Sequence, residues 1–293
     1  GRGGGVSLPL RAEAEGLAEP LPALLAEARH LAATVTLGEH GRRRPGAGAD
    51  FWQYRAALPG EDARRIDWRR SARSDAAFVQ DKEWQVAQTV MIWVDRGRSM
   101  AFASSPRLPT KAHRARVLAL AAAVLLVRGG ERVGMGADGL PPRRGAHMLE
   151  RLAGRLAQDA APDYAEADAS GMPQGACALL VGDFLGDPEP LRRAVGAAAA
   201  RGVRGALVQV LDPQEVAFPF EGRTIFESVG GTARHETLRA GDLRDRYKGR
   251  LAERQDVLAA LARAAGWRST THVTDQPATG ALLWIHGALE GPR

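Results

Sequence analysis

The residues of this chain that could do chemistry stand where apolar runs end. Val90-Met91-Ile92-Trp93-Val94 stops at Asp95, and Arg96-Gly97-Arg98-Ser99-Met100 follows. A carboxylate and a hydroxyl so placed after a buried strand can turn their oxygens toward one point. That is the donor chemistry a hard cation such as Mg2+ requires. Two further apolar runs end in Asp183 and Asp212, and Asp183 can approach Asp95 from a neighbouring loop. The plainer reading is that Asp95 and Ser99 satisfy backbone N–H groups in a tight turn. Gly97-Arg98-Ser99-Met100-Ala101 also has the outline of the G-x-S-x-G nucleophile elbow, with Ala as its last residue. An elbow passes straight from strand to helix, whereas Pro106 and Pro109 interrupt the chain here. A serine needs a paired base. Asp183 or Asp212 with His272 or His286 would supply a triad in workable order, although seven histidines are scattered along the chain.

A second concentration of chemistry lies at residues 41–73. It holds nine arginines and four acids, a net +5 in a chain whose total is +6. Arg42, Arg43 and Arg44 have no acid beside them and are the better candidates for an anion contact. Arg55, Arg64 and Arg73 interleave with Asp67 and with Phe51, Trp52, Tyr54 and Trp68. Such interleaving suits a nucleic-acid surface. It equally suits a packed element with internal Arg–carboxylate pairs, and at least one such pair is expected within the block. No phosphate-cradling glycine motif and no Cys/His cluster for zinc is present.

The elements that must position these residues follow from periodicity. The runs ending at Asp95, Asp183 and Asp212 suit strands covered on both faces, as in parallel sheets. Thr110 is a fitting N-cap for an almost wholly apolar helix over 111–128, stopped by Gly129-Gly130. Further helices are expected over 17–34, 147–158, 188–201 and 242–265, with shorter strands at 76–80, 84–89, 132–137, 224–229, 235–238 and 269–274. Residues 281–286 close the fold. Alternation of strands and helices means a mainly parallel sheet with helices on both faces. Ligands of such sheets bind beyond the carboxyl ends of the strands, so Asp95, Ser99 and Asp183 are expected to converge at that edge.

The chain has 293 residues, ordinary hydrophobic and charged fractions of 45% and 25%, and one cysteine, Cys177. That cysteine sits in an apolar run and reads as a small buried side chain. The longest apolar run, 117–127, is far shorter than the roughly 20 residues of a membrane-spanning helix. The start, Gly1-Arg2-Gly3-Gly4-Gly5, does not read as a signal peptide. A cytoplasmic location, or one peripheral to a membrane, is expected.

The run from Phe51 through Leu58-Pro59-Gly60-Glu61-Asp62 to Ile66-Asp67-Trp68 and Ser71-Ala72-Arg73 resembles the signature of the bacterial family called domain of unknown function 58. The D-x-x-x-S motif at Asp95, Lys111 opening the next helix, Arg132-Val133-Gly134 and Gly182-Asp183-Phe184 extend the resemblance over roughly residues 20–290. It implies a von Willebrand factor A-like, Rossmann-like α/β domain over 86–293, preceded by a helix and the Arg-rich segment over 1–85. It implies association with MoxR-type AAA+ ATPases in the assembly or maturation of protein complexes. It also implies a metal-ion-dependent adhesion site in degenerate form. Asp95 and Ser99 match that site's first loop and Asp183 its third. Gly97 replaces the middle hydroxyl, and no threonine lies between 138 and 169, where the second loop belongs. Mg2+ is therefore expected to bind weakly or not at all to the isolated chain, unless a partner's carboxylate completes the shell. The function expected is protein–protein interaction without catalysis. The alternatives are a serine hydrolase using Ser99 and a nucleic-acid-binding protein using residues 41–73.

Overall fold

The computed structural model describes residues 20–38, 52–56, 78–82, 87–136, 139–158, 164–218, 224–227, 234–237 and 241–290. The chain divides into two compact units. One contains the helix Pro20–Gly38 and everything from Gln88 onward; the other spans Gly41–Ala87. Within the second unit, β1 (Trp52–Ala56) and β2 (Phe78–Lys82) pair antiparallel, with Arg55 opposite Val79. Arg42, Arg43, Arg44, Arg64, Asp67, Trp68 and Arg73 lie outside the described residues, as does the internal Arg–carboxylate pair expected of their block.

The first unit is built on six strands: β3 (Thr89–Val94), β4 (Arg132–Met135), β5 (Leu140–Arg143), β6 (Cys177–Gly182), β7 (Arg204–Leu211) and β10 (Arg268–Val273). Their order across the sheet is β10-β7-β6-β3-β4-β5. All neighbours are parallel except β5, which runs antiparallel to β4 at one edge. Its sequence, Leu140-Pro141-Pro142-Arg143, carries two prolines, and proline belongs on an edge because it has no N–H for a second neighbour. The short pair β8 (Thr224–Glu227) and β9 (Arg234–Thr237) forms a separate antiparallel ribbon between β7 and β10 in the chain.

Successive side chains of a strand point to opposite faces, and here each face meets its own layer of helices. Val90, Ile92, Val94, Leu179, Val181, Val208 and Val210 pack with α1 (Pro20–Gly38), α2 (Lys111–Arg128), α3 (Ala146–Leu156) and α7 (Ala278–Glu290). Met91, Trp93, Ala178, Leu180 and Leu207 pack with α4 (Pro188–Ala200) and α6 (Gly241–Ala264). This mixed α/β sandwich with a mostly parallel sheet is the fold class expected from the sequence. Dividing the chain at residue 85 would group α1 with the Arg-rich segment. The structure corrects this: Leu24, Leu25, Ala28, Ala32 and Val35 of α1 are buried in the core that α2 shares with the sheet.

Local signals account for the helix ends. Thr110 Oγ1 accepts from His113 N at 3.1 Å, and Gly130, at φ +82°, follows the last turn of α2. Asp187 caps α4 by accepting from Glu189 N at 3.0 Å, with Pro188 as its first residue. Trp267 locks the second layer. Its ring is 4% exposed, its Nε1 donates to the Val203 carbonyl at 2.8 Å, and it lies so close to Gly205 that a Cβ there would sit 2.7 Å from the indole. Trp267→Ala is expected to cost about 3–5 kcal/mol through the lost burial and the cavity left behind. Trp267→Phe should cost less, keeping most of the packing and losing the N–H. Urea unfolding of the three chains measures both.

Candidate functional site

In an open parallel sheet the ligand crevice opens where neighbouring strands send their connections in opposite directions. Here β3 leads through α2 to β4 on one side, while β6, its neighbour on the other side, leads through α4 to β7. Asp95 and Asp183 follow these two strands, so both carboxylates stand at that crevice. Asp95 N donates to the Val181 carbonyl at 2.8 Å. A Cβ on Gly182 would fall 2.8 Å from that of Asp95, so only glycine lets the two strand ends approach this closely. Ser99 lies in a one-turn 3-10 helix, Arg98–Ala101, beside them. Asp95, Ser99 and Asp183 are 3%, 4% and 0% exposed.

Each strand-end aspartate makes the same turn, accepting the N–H two residues on. Gly97 N is 2.7 Å from Asp95 Oδ1, Leu185 N 3.1 Å from Asp183 Oδ1, and Gln214 N 2.8 Å from Asp212 Oδ1. This is the turn role expected of Asp95. Ser99 does not share it: its buried Oγ has no hydrogen-bond partner among the described residues. Asp212 also accepts from Ser104 N at 2.9 Å, tying the long loop before α2 to the end of β7.

What sequence reasoning missed is the centre of the site. Lys111, the first residue of α2, is 1% exposed; its Nζ lies 2.9 Å from Asp183 Oδ2 and 2.6 Å from Glu215 Oε1. Glu215 belongs to α5 (Pro213–Ala217), where its other oxygen accepts from Asp212 N at 2.9 Å in a capping box. Burial acts to lower the Lys111 pKa, but the carboxylates of Asp183 and Glu215 outweigh it and the net direction is upward. The ammonium is charged at neutral pH. Two signals were available in the sequence. A cation at a helix N-terminus opposes the helix dipole, so a lysine opening an apolar helix implies carboxylates nearby. The Asp212-x-x-Glu215 spacing is that of a capping box.

Beyond Asp183, Phe184 adopts a left-handed backbone with φ +50°, and its ring stacks on Trp93 at a centroid distance of 6.2 Å. Such a conformation costs a bulky residue on the order of 1–3 kcal/mol and gathers at functional sites. Gln209 fixes the same turn by donating to the Asp183 carbonyl at 2.9 Å. The histidines considered for a triad are engaged elsewhere. His272 Nε2 is 3.3 Å from Arg114 Nη1, and burial, aided by that guanidinium, pushes its pKa down to about 4. His286 Nε2 is 3.5 Å from Glu290 on α7.

Burial raises the Asp95 carboxyl from 3.8 to about 6, with Asp183 adding to the rise and the Gly97 N–H opposing it. A raised carboxyl favours folding at low pH, and that contribution is lost as pH climbs through about 6. At pH 8 the charged Asp95 therefore costs roughly 3 kcal/mol at most. Asp95→Asn keeps the acceptor for Gly97 and is expected to be more stable than wild type at pH 8. The difference should shrink between pH 6 and 4. His272 titrates in the same window with the opposite effect, since its depressed pKa favours folding at higher pH, and it cancels in the comparison. Urea unfolding of the two proteins across this range checks the sign. Lys111→Met strands the buried Asp183 carboxylate and the partly buried Glu215 carboxylate and is expected to cost about 3–5 kcal/mol at pH 7, read in the same assay.

Comparison with known proteins adds the following. Residues 53–257 match the family described as "Protein of unknown function DUF58". Uncharacterised proteins of Mycobacterium bovis and Mycobacterium tuberculosis are each 30% identical over 247 residues, covering 78% of this chain and 75% of the relative. Among solved structures, the conserved hypothetical protein BatB of Bacteroides thetaiotaomicron is 13% identical with a TM-score of 0.40. An aerotolerance-related membrane protein of Bacteroides fragilis is 15% identical with a TM-score of 0.41. Each covers 70% of this chain and 99% of its own. Among the described residues no helix is long and apolar enough to cross a membrane. The family match runs from β1 into α6 and so takes in Asp95, Lys111, Asp183 and Glu215 alike: this chain is a member of the family of proteins of unknown function DUF58.

Proposed function

We propose that this chain is a protein-binding module of von Willebrand A-like type, working without catalysis as an accessory to a MoxR-type AAA+ ATPase in the assembly or maturation of protein complexes. A cytoplasmic location goes with this reading. One observation carries it: the groups at the carboxyl edge of the sheet form no nucleophile–base pair among the described residues. Lys111 holds Asp183 and Glu215, Asp95 closes its own turn, and the Ser99 hydroxyl has no hydrogen-bond partner among the described residues. The strained Phe184 beside them fits a recognition surface. The partner class comes from the resemblance of the Arg-rich signature and the D-x-x-x-S motif.

The donor set does not suit a resident Mg2+. The ion wants a near-octahedral shell of oxygens, yet Asp183 Oδ2 faces an ammonium at 2.9 Å. Position 97 is glycine, and no threonine stands between 138 and 169. Lys111 supplies a fixed positive charge at that edge instead. The hydrolase reading is weaker because neither His272 nor His286 reaches Ser99. A nucleic-acid role would rest on residues 41–73, and its mark would be DNA binding that falls steeply with salt.

The test is retention of a MoxR-type AAA+ ATPase of the native host on the immobilised chain. Wild type is expected to retain it. Asp95→Ala is expected to lose it while unfolding at nearly the same urea concentration, because the replaced carboxylate is itself costly to bury. Titration calorimetry with Mg2+ alone is expected to give no tight binding. Ester hydrolysis that vanishes in Ser99→Ala would overturn the reading in favour of an enzyme.

A further inference from the structure

Beside the Lys111 cluster lies a cavity of about 230 Å3 whose lining includes Trp93, Asp95, Tyr164, Glu166, Phe184 and Arg254. It is smaller than the roughly 300–1,000 Å3 of sites that enclose whole small molecules, and suits one side chain. Its deep side holds Asp95, 3% exposed; Tyr164 and Glu166 are exposed at its mouth, Tyr164 at 41%. Asp187 also lines it but is committed to capping α4. With Asp95, Glu166 and Asp187 against Arg254, the lining is net acidic.

The shortage of positive charge is most acute at Asp95. Lys111 Nζ is given over to Asp183 and Glu215, and no cation among the described residues forms an ion pair with Asp95. A buried carboxylate without a paired cation is costly. Burial accordingly holds its carboxyl at about 6, and Lys111 lowers it less than the Gly97 and Ala165 backbone N–H groups do. The walls are the stacked rings of Trp93 and Phe184, with Tyr164 nearby. A deep carboxylate with aromatic walls recognises a weakly hydrated planar cation: the guanidinium pairs with the carboxylate and lies flat on the rings.

We propose that this pocket receives an arginine side chain of the partner protein. The proposal rests on reading the chain as a protein-binding module and names the chemistry it recognises. It reverses the polarity of a metal-bearing adhesion site, where a bound cation takes the partner's carboxylate. Here the internal cation is spent on Asp183 and Glu215, and the unpaired carboxylate takes the partner's cation.

The experiment titrates the full chain with four acetylated, amidated tripeptides, Gly-X-Gly, in which X is arginine, lysine, citrulline or glutamate. Binding is followed by NMR of the Trp93 indole N–H. Arginine is expected to bind at least about tenfold tighter than citrulline, its neutral isostere, about 1.4 kcal/mol, and tighter than lysine. Asp95→Asn should erase the preference over citrulline. Tyr164→Ala, at an exposed ring that leaves the core intact, should weaken the arginine peptide while urea unfolding stays unchanged. Citrulline binding as well as arginine, preference for glutamate, or no shift at Trp93 would overturn the proposal. Lysine binding as tightly as arginine would overturn the choice of a guanidinium. Retention of the AAA+ ATPase is measured in parallel. A chain that keeps the ATPase but ignores the arginine peptide defeats this proposal and leaves the module reading standing; one that binds the peptide but not the ATPase does the reverse.

Discussion

The ammonium of Lys111 joins three segments that the sheet alone would not hold together. It is anchored at the first turn of α2, and it reaches Asp183 after β6 and Glu215 in α5. The arrangement is under electrostatic tension. A cation at that helix end is disfavoured by the dipole, and two carboxylates in a dry crevice are disfavoured by burial. Each defect is relieved only by the other, so the three segments are compatible in one mutual placement. Of the 40 basic residues, only Lys82, Lys111 and Lys248 are lysines. One of these three sits at the fully buried position, where a compact ammonium with rotatable donors can serve two carboxylates in a way a planar fork cannot.

That placement divides the carboxyl edge of the sheet into two halves. Around Lys111 each carboxylate is paired with the ammonium and turned inward. Around Asp95, which the close approach of Gly182 draws into the same crevice, no such pair forms among the described residues. Phe184 stands on the border: its left-handed backbone turns the chain away from Asp183, and its ring joins Trp93 in the wall of the adjacent cavity. One short segment, 182–184, thus closes the ion cluster on one side and shapes the cavity on the other.

Much of this fold was legible in the sequence because its central strands are covered on both faces. Val90–Val94, Ala178–Val181 and Ala206–Leu211 read as strands since burial on two sides leaves no polar alternation to confuse them. The cap at Thr110 and the helix start at Pro188 were legible for local chemical reasons. The edge strand β5 was not, because two adjacent prolines argue against any strand with two neighbours. The membership of α1 was hidden because the helices it packs on, α2, α3 and α7, lie far along the chain beyond the Arg-rich segment. At the site, convergence of Asp95 and Asp183 followed from topology. The pairing of Lys111 with Glu215 did not, since it depends on where a short helix after β7 comes to rest. The place of the Ser99 hydroxyl, without a partner among the described residues, depends on a single 3-10 turn that spacing alone cannot orient.

The proline pair in β5 has a consequence for how copies of this protein can meet. Pro141 and Pro142 have no N–H to offer an incoming strand, which seals that end of the sheet against continuation from another molecule. Among the described strands the opposite margin, β10, has a neighbour, β7, on one side alone. A sheet with a single extensible margin can join the same margin of a second copy across a two-fold axis and stop there. Open-ended stacking of sheets into a fibre would require both.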